Sequence, residues 1–200
     1  MCQEVLEIIQ EMDRKQLEVK MALQCAPVLT GIKISNLLNV ESEYESSVCR
    51  ILRNTALVPY RLLCCENRTV FLLFRRNELT SYLREPKVQA VFQSNGYKNL
   101  SLTGILKRFR QRYAAYILQG GNFPHEMGLL LGYPVEDVQG FIEYKGKNYL
   151  YAGYWKVYTD LEEKKALFEA YESATEALLL LVSGGYTIHM IMEKIRRIPF

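Results

Sequence analysis

Along the chain, stretches in which apolar residues recur every three or four positions are interleaved with shorter ones in which they alternate or run together. Val5, Ile8, Ile9 and Met12 recur at helical spacing and predict an amphipathic helix at the start of the chain. Cys25-Ala26-Pro27 is expected to break it, because Pro27 lacks an amide proton and disfavours helix at the residue before it. From Val28 to Leu38 the pattern is open: Ile32 and Ile34 alternate like a strand, whereas Ser35-Asn36-Leu37-Leu38 can start a helix. Glu41 to Leu57 reads as a helix with Val48, Ile51 and Leu52 on one side. Tyr60–Cys65 and Thr69–Phe74 are β-rich runs around Glu66-Asn67-Arg68, the pattern of a hairpin with a short polar turn.

A helical stretch over Asn77–Gln93, divided by Pro86, precedes the clearest helix, Leu102–Leu118. There Leu102, Ile105, Leu106, Phe109, Tyr113, Tyr116 and Ile117 form one stripe, Ser101 can cap the start, and Gly120-Gly121 can end it. Asn148–Tyr158, rich in tyrosine, tryptophan and valine, predicts one strand with Tyr154, Lys156 and Tyr158 on one face and Trp155 and Val157 on the other. Gly153 marks a bulge or a close backbone approach within it. Leu161–Val182 reads as a long helix burying Leu161, Phe168, Tyr171, Leu178 and Val182; Gly184-Gly185 stops it, and a short basic helix closes the chain. The fold class expected is α/β-type (α+β), helix-rich, with a small sheet containing a hairpin and an aromatic-rich strand. With no linker or repeat, residues 1–200 are expected to form a single domain.

Composition narrows this picture without redirecting it. Apolar residues make up 49% of the chain and charged ones 24%, ordinary values for a globular protein, so disorder and collagen-like structure are excluded. A net charge of +3 is too small to imply nucleic acid or an anionic membrane by itself. The longest fully apolar run, Ala177–Val182, is far short of a membrane span, and the first residues do not read as a signal peptide. A cytoplasmic protein with no membrane partner is expected. Five cysteines (Cys2, Cys25, Cys49, Cys64 and Cys65) without CxxC spacing suggest reduced thiols rather than a disulfide framework or zinc ribbon, and no metal site is expected.

The most organised segment is Phe123-Pro124-His125-Glu126-Met127-Gly128-Leu129-Leu130-Leu131-Gly132-Tyr133-Pro134-Val135-Glu136-Asp137-Val138. Pro124 suits the first position of a helix. His125 and Glu126 then fall in the first turn, where the dipole favours a carboxylate and a neutral imidazole. Gly132 can take the left-handed position after the helix, and Pro134 can start a second one with Glu136 and Asp137 in its first turn. Gly128, Gly132 and Val138 also fit a helix-turn-helix pattern, but Glu136, Asp137 and Glu143 oppose approach to phosphates, so a nucleic-acid partner is disfavoured.

Two sets of candidate residues follow. Cys25 as nucleophile, His125 as base, and Glu126 or Lys33 in support are the components of a small thiol- or histidine-dependent enzyme. Against that stand a core thiol and an ordinary helix start. Tyr133, Tyr154, Trp155 and Lys156 are candidates for ligand binding, since rings with a lysine can stack a planar molecule; the plainer alternative is a strand with one packed and one wet face. Lys107, Arg108, Arg110 and Arg112 lie mostly off the apolar stripe of their helix and read as a solvated face. No complete catalytic constellation assembles, so a ligand-binding or regulatory module with a pocket around Phe123–Asp137 and Tyr149–Tyr158 is the leading expectation. Its partner, a small molecule or a protein, and any cofactor stay open.

Cys25-Ala26-Pro27 with Gly31-Ile32-Lys33 and Asn36-Leu37, the Phe123–Asp137 run, Gly140-Phe141-Ile142-Glu143, and Trp155-Lys156-Val157-Tyr158 with Asp160 together resemble the bacterial domain-of-unknown-function family 3793. The resemblance covers most of the chain, from about Cys25 to the helix at Leu161, and its Phe-Pro-His-Glu and Trp-Lys-Val-Tyr blocks are highly specific. It implies a bacterial, anaerobe-associated, intracellular protein and brings no activity, cofactor or catalytic residue. Family members often carry cysteine where Ala152 stands and another near Ser173 or Ala174; neither is present here, which weakens any metal or redox site built on those thiols.

Overall fold

Helix α1 (Leu17–Leu29) runs through Pro27 instead of ending before it. Proline inside a helix costs about 3 kcal/mol, yet burial of Val28 and Leu29 contributes about 1.5–3 kcal/mol for each side chain. The last turn is also closed from outside. Arg75 donates from Nε to the Val28 carbonyl and from Nη2 to that of Leu29, both at 3.3 Å, and Thr30 Oγ donates to Ala26 O at 2.8 Å. In this computed structural model, residue 12 and residues 16–197 are described, apart from the side chains of Arg196 and Arg197. The helix start expected around Val5–Ile9 lies outside the described residues.

The open segment Val28–Leu38 divides: Val28 and Leu29 end α1, residues 30–34 turn, and strand begins only at Ser35. β1 (Ser35–Glu41) pairs antiparallel with β3 (Arg68–Arg75) from Ser35↔Phe74 to Glu41↔Arg68, and β2 (Leu57–Cys65) pairs with β3 on its other edge. The sheet order is β1-β3-β2. The expected hairpin is present, with Glu66 turning at φ 49° and an irregularity between Arg61 and Leu63. The helix expected over Glu41–Leu57 is shorter: a 3-10 turn (Ser42–Tyr44) leads into α2 (Glu45–Ile51). A turn with Asn54 at φ 63° and Thr55 Oγ accepting from Leu57 N at 3.2 Å then delivers the chain to β2.

Next come α3 (Arg76–Tyr82) and α4 (Pro86–Ser94), divided at Pro86 as expected, and α5 (Leu102–Gln119). Ser101 Oγ accepts from Gly104 N at 3.1 Å, and Gly120 takes the left-handed conformation at φ 66°. Ile105, Leu106, Phe109 and Tyr113 are the buried part of the stripe. α6 (Met127–Leu130), α7 (Val135–Glu143), β4 (Tyr151–Ala152), β5 (Lys156–Val157), α8 (Leu161–Ser183) and α9 (Ile188–Arg197) complete the chain. The architecture is α+β, helix-rich with small antiparallel sheets. No described helix is long and apolar enough to cross a membrane.

The chain divides into two compact units, residues 1–75 with 169–200 and residues 76–168. In the first, a continuous core joins Met21, Cys25 and Val28 of α1 to Leu38, Phe71 and Leu73 of the sheet and to Leu179 and Ile188. In the second, Phe92 meets Tyr97 edge-on at 5.0 Å, and Phe109 and Tyr113 lie 5.9 Å apart.

Candidate functional site

The corner between α6 and α7 forms around Gly132, at φ 70°. Tyr133 N donates to Gly128 O at 2.9 Å and Gly132 N to Leu129 O at 3.0 Å, the paired bonds of a Schellman ending. Pro134 caps α7, and Glu136 and Asp137 occupy its first turn. Gly128 lets the corner close: a Cβ there would stand 2.7 Å from Val138 Cγ2 and 3.3 Å from the Tyr133 ring. The small-residue pattern thus serves packing between two short helices.

Regular helix begins at Met127, later than the Pro124 start expected. Met127 N and Gly128 N donate to the carbonyls of Pro124 and His125 at 2.9 and 3.1 Å, tighter three-residue steps that lead into a single helical turn. Glu126 makes no side-chain cap there. Its carboxylate is fully buried, accepting from Arg112 Nε at 2.5 Å and Tyr97 OH at 2.8 Å on one oxygen, with Arg112 Nη2 at 3.5 Å from the other. Burial and the neighbouring carboxylate hold the Tyr97 hydroxyl well above its usual range. Arg112, read as part of a solvated face, is instead the partner of a buried acid. His125 turns the other way and is exposed, its ring 5.3 Å from Phe123 and 5.5 Å from Phe141.

The aromatic segment is not one strand. β4 and β5 pair with each other, Tyr151↔Val157 and Ala152↔Lys156, and the chain reverses between them. Leu150 N donates to Val157 O at 2.8 Å and Gly153 N to Trp155 O at 3.1 Å. The segment is thus a reversal rather than one strand, but burial still alternates along it: Trp155 and Val157 are buried, Tyr154 is exposed, and Lys156 and Tyr158 are half-buried. Gly153 is where the chain is closely approached: a Cβ would lie 2.4 Å from Phe168.

One side chain ties this hairpin to the corner. Asp137, 2% exposed, accepts from Trp155 Nε1 at 2.7 Å on one oxygen, and from Tyr158 N at 2.7 Å and Thr159 N at 3.2 Å on the other. Trp155 is then pinned between Tyr133, stacked at 4.7 Å and 26°, and Phe168, edge-on at 4.6 Å. Tyr133 is held at both ends: its carbonyl accepts from Tyr82 OH at 2.6 Å, and its hydroxyl donates to Tyr154 O at 3.4 Å. Burial pushes the Tyr133 hydroxyl up to about 12.

Between corner and hairpin lies a cavity of about 330 Å3. Phe123, His125, Met127, Gly128, Tyr133, Asp137, Val138 and Phe141 line it from the corner, and Ala152, Gly153, Tyr154, Trp155 and Lys156 from the hairpin. Rings and apolar side chains make most of the wall. Lys156 Nζ donates to Gly146 O at 2.6 Å and lies 4.6 Å from the centre of the Tyr149 ring and 5.7 Å from that of Phe141. Of the residues singled out in the sequence, His125, Tyr133, Tyr154, Trp155 and Lys156 share this cavity, while Glu126 does not line it. Asp137, Phe141 and Arg112 escaped that reading. An acid in a helix's first turn looks like a complement to the dipole, and its inward direction becomes visible only once Trp155 is beside it.

Cys25 and Lys33 belong to the other unit. Cys25 is fully buried in α1, its Sγ 3.5 Å from Leu37 O, and burial pushes the thiol up to about 12, so it is held as a protonated core thiol. Lys33 is also buried and donates to Asn36 Oδ1 at 2.6 Å; burial pulls its ammonium down to about 8. Asn36 Nδ2 reaches the Gln24 carbonyl, with Cys25 Sγ 4.0 Å away. This is a buried polar cluster without an activated thiolate. Among the described residues, no group of three or more histidine, cysteine and acidic side chains is placed to hold a metal ion.

No curated protein and no solved structure matches the chain. A family model matches residues 21–192, a span that takes in both the α1 cluster and the whole cavity. The chain belongs to the family described as protein of unknown function (DUF3793).

Proposed function

We propose that the protein is a binding module that takes a small, flat, largely apolar molecule in the cavity between the α6–α7 corner and the β4–β5 hairpin. The observation that carries this is the wall itself: a cavity of about 330 Å3 lined by Phe123, Tyr133, Phe141, Tyr154 and Trp155. That volume is at the lower end of small-molecule sites, and a mostly apolar wall with few polar groups is their usual construction. The wall is also held in place, because Asp137, Tyr82 and Phe168 fix Trp155 and Tyr133, and preorganisation lowers the cost of binding. Catalysis by Cys25 gains no support from a protonated, fully buried thiol.

The chain has one tryptophan, and it lines the cavity, so occupancy reports itself. The neutral probe N-phenyl-1-naphthylamine is expected to quench Trp155 emission saturably, with a Kd of about 10 µM, equivalent to about −7 kcal/mol. Ala152→Phe, which adds a ring at an exposed lining position, is expected to weaken that binding at least tenfold, about 1.4 kcal/mol. Absence of saturable quenching by aromatic probes, or binding indifferent to Ala152→Phe, refutes the reading.

A further inference from the structure

The polar groups of the cavity are unequally committed. Asp137, its one acid, has both oxygens engaged by three N–H donors from Trp155, Tyr158 and Thr159, which offset its charge and leave it turned to the protein. The two basic side chains are differently placed. Lys156 spends one N–H on Gly146 O and otherwise lies over the faces of Tyr149 and Phe141; it makes no ion pair among the described residues. His125 has ring contacts with Phe123 and Phe141 and no hydrogen bond on either nitrogen among the described residues. Both converge on Phe141, the imidazole at 5.5 Å and the ammonium at 5.7 Å from that ring. A half-buried ammonium with donors to spare beside an exposed imidazole is a receptor for an anionic group, since charge-assisted bonds are the stronger kind.

We infer that the ligand of this cavity is an aromatic acid, its ring system packed against the Tyr133–Trp155 pair and its anionic group held by Lys156 and His125 near Phe141; this rests on the binding reading above. Carboxylate, sulfonate and phosphate share the chemistry required. A neutral aromatic of the same shape makes the ring contacts and leaves the ammonium without its partner.

The test compares two probes with one ring skeleton, 8-anilinonaphthalene-1-sulfonate and N-phenyl-1-naphthylamine, titrated against the full chain and followed by energy transfer from Trp155. The wild type is expected to bind the sulfonate at least about tenfold more tightly than the neutral amine. Lys156→Met, which keeps an unbranched stem and removes the charge, is expected to lower the ratio of sulfonate to amine affinity at least about fivefold, whatever it does to both affinities together. Circular dichroism establishes that the variant is folded; if it is not, the two wild-type titrations decide alone. Equal affinities in the wild type overturn the acid assignment and leave a cavity for neutral aromatics. Failure of both probes to bind, or sulfonate binding without energy transfer from Trp155, overturns the acid assignment together with the binding reading.

Discussion

Replacing Asp137 by asparagine tests whether a single carboxylate fixes the wall of the cavity. In the folded protein one oxygen accepts two backbone amides, at 2.7 and 3.2 Å, and the other accepts the Trp155 indole N–H at 2.7 Å. Asparagine has only one oxygen. If that oxygen keeps the two amides, its NH2 faces the indole N–H, donor against donor, in a place from which water is excluded. Leaving a buried donor unsatisfied costs about 1–3 kcal/mol, and the lost charge in the first turn of α7 adds about 0.3–1 kcal/mol. Asp137→Asn is therefore expected to destabilise the protein by about 2–3 kcal/mol, read by urea denaturation followed with far-ultraviolet circular dichroism. A double-mutant cycle with Trp155→Phe isolates the cause. Phenylalanine has no N–H to collide with the amide, so the cost of Asp137→Asn is expected to fall by about 1–2 kcal/mol in that background. A cost below about 0.5 kcal/mol, within the range of ordinary surface substitutions, or identical costs in both backgrounds, refutes the claim that this carboxylate anchors the hairpin through the indole.

Three further outcomes follow from the buried groups. Arg112→Met leaves the Glu126 carboxylate buried with Tyr97 as its remaining donor; with Arg112 itself 30% exposed, the expected loss is about 2–3 kcal/mol, at the lower edge of the range for breaking a buried pair, and a double change to Met at both positions is expected to recover part of it in the same urea assay. Lys33, about 8 folded against 10.5 unfolded, and Cys25, about 12 against 9.0, give opposite pH slopes. Between pH 8 and 10.5 the unfolded lysine binds more protons than the folded one, so stability rises with pH. Above pH 9 the unfolded thiol loses a proton that the folded one keeps, so stability falls until about pH 12. Relative to Lys33→Met, the wild type is expected to gain about 2 kcal/mol between pH 7.5 and 9.5, and a flat difference in urea midpoints contradicts the burial of that ammonium. Finally, Gly128→Ala is expected to cost about 1–3 kcal/mol by overpacking against Val138, and Val138→Ala in the same chain to return part of it, read as melting temperatures; a neutral Gly128→Ala contradicts the close approach at the corner.

The parts legible in the amino-acid sequence were those whose causes are local. Ser101 and Gly120 bracket α5, Pro86 divides α3 from α4, and Gly132 turns the corner, because caps, prolines and left-handed glycines act within a few residues of themselves. The hairpin of β2 and β3 is local in the same sense, two β-rich runs around one short turn. The membership of the cavity was legible in part: His125, Tyr133, Tyr154, Trp155 and Lys156 were visible as chemistry-bearing residue types in two segments. Tertiary structure decided the rest. Residues Ser35–Leu38 became a strand because β3 supplies a partner for every residue from Ser35 to Glu41, and α1 continued through Pro27 because its last turn is buried. The aromatic segment folded back into β4 and β5 where Phe168 closes on Gly153 and Asp137 collects the amides of Tyr158 and Thr159. The direction of a polar side chain was likewise beyond local pattern. Arg112 and Asp137 look like surface charges along their own helices, and only the groups that meet them, the buried Glu126 carboxylate and the Trp155 indole, turn one toward the interior and bury the other.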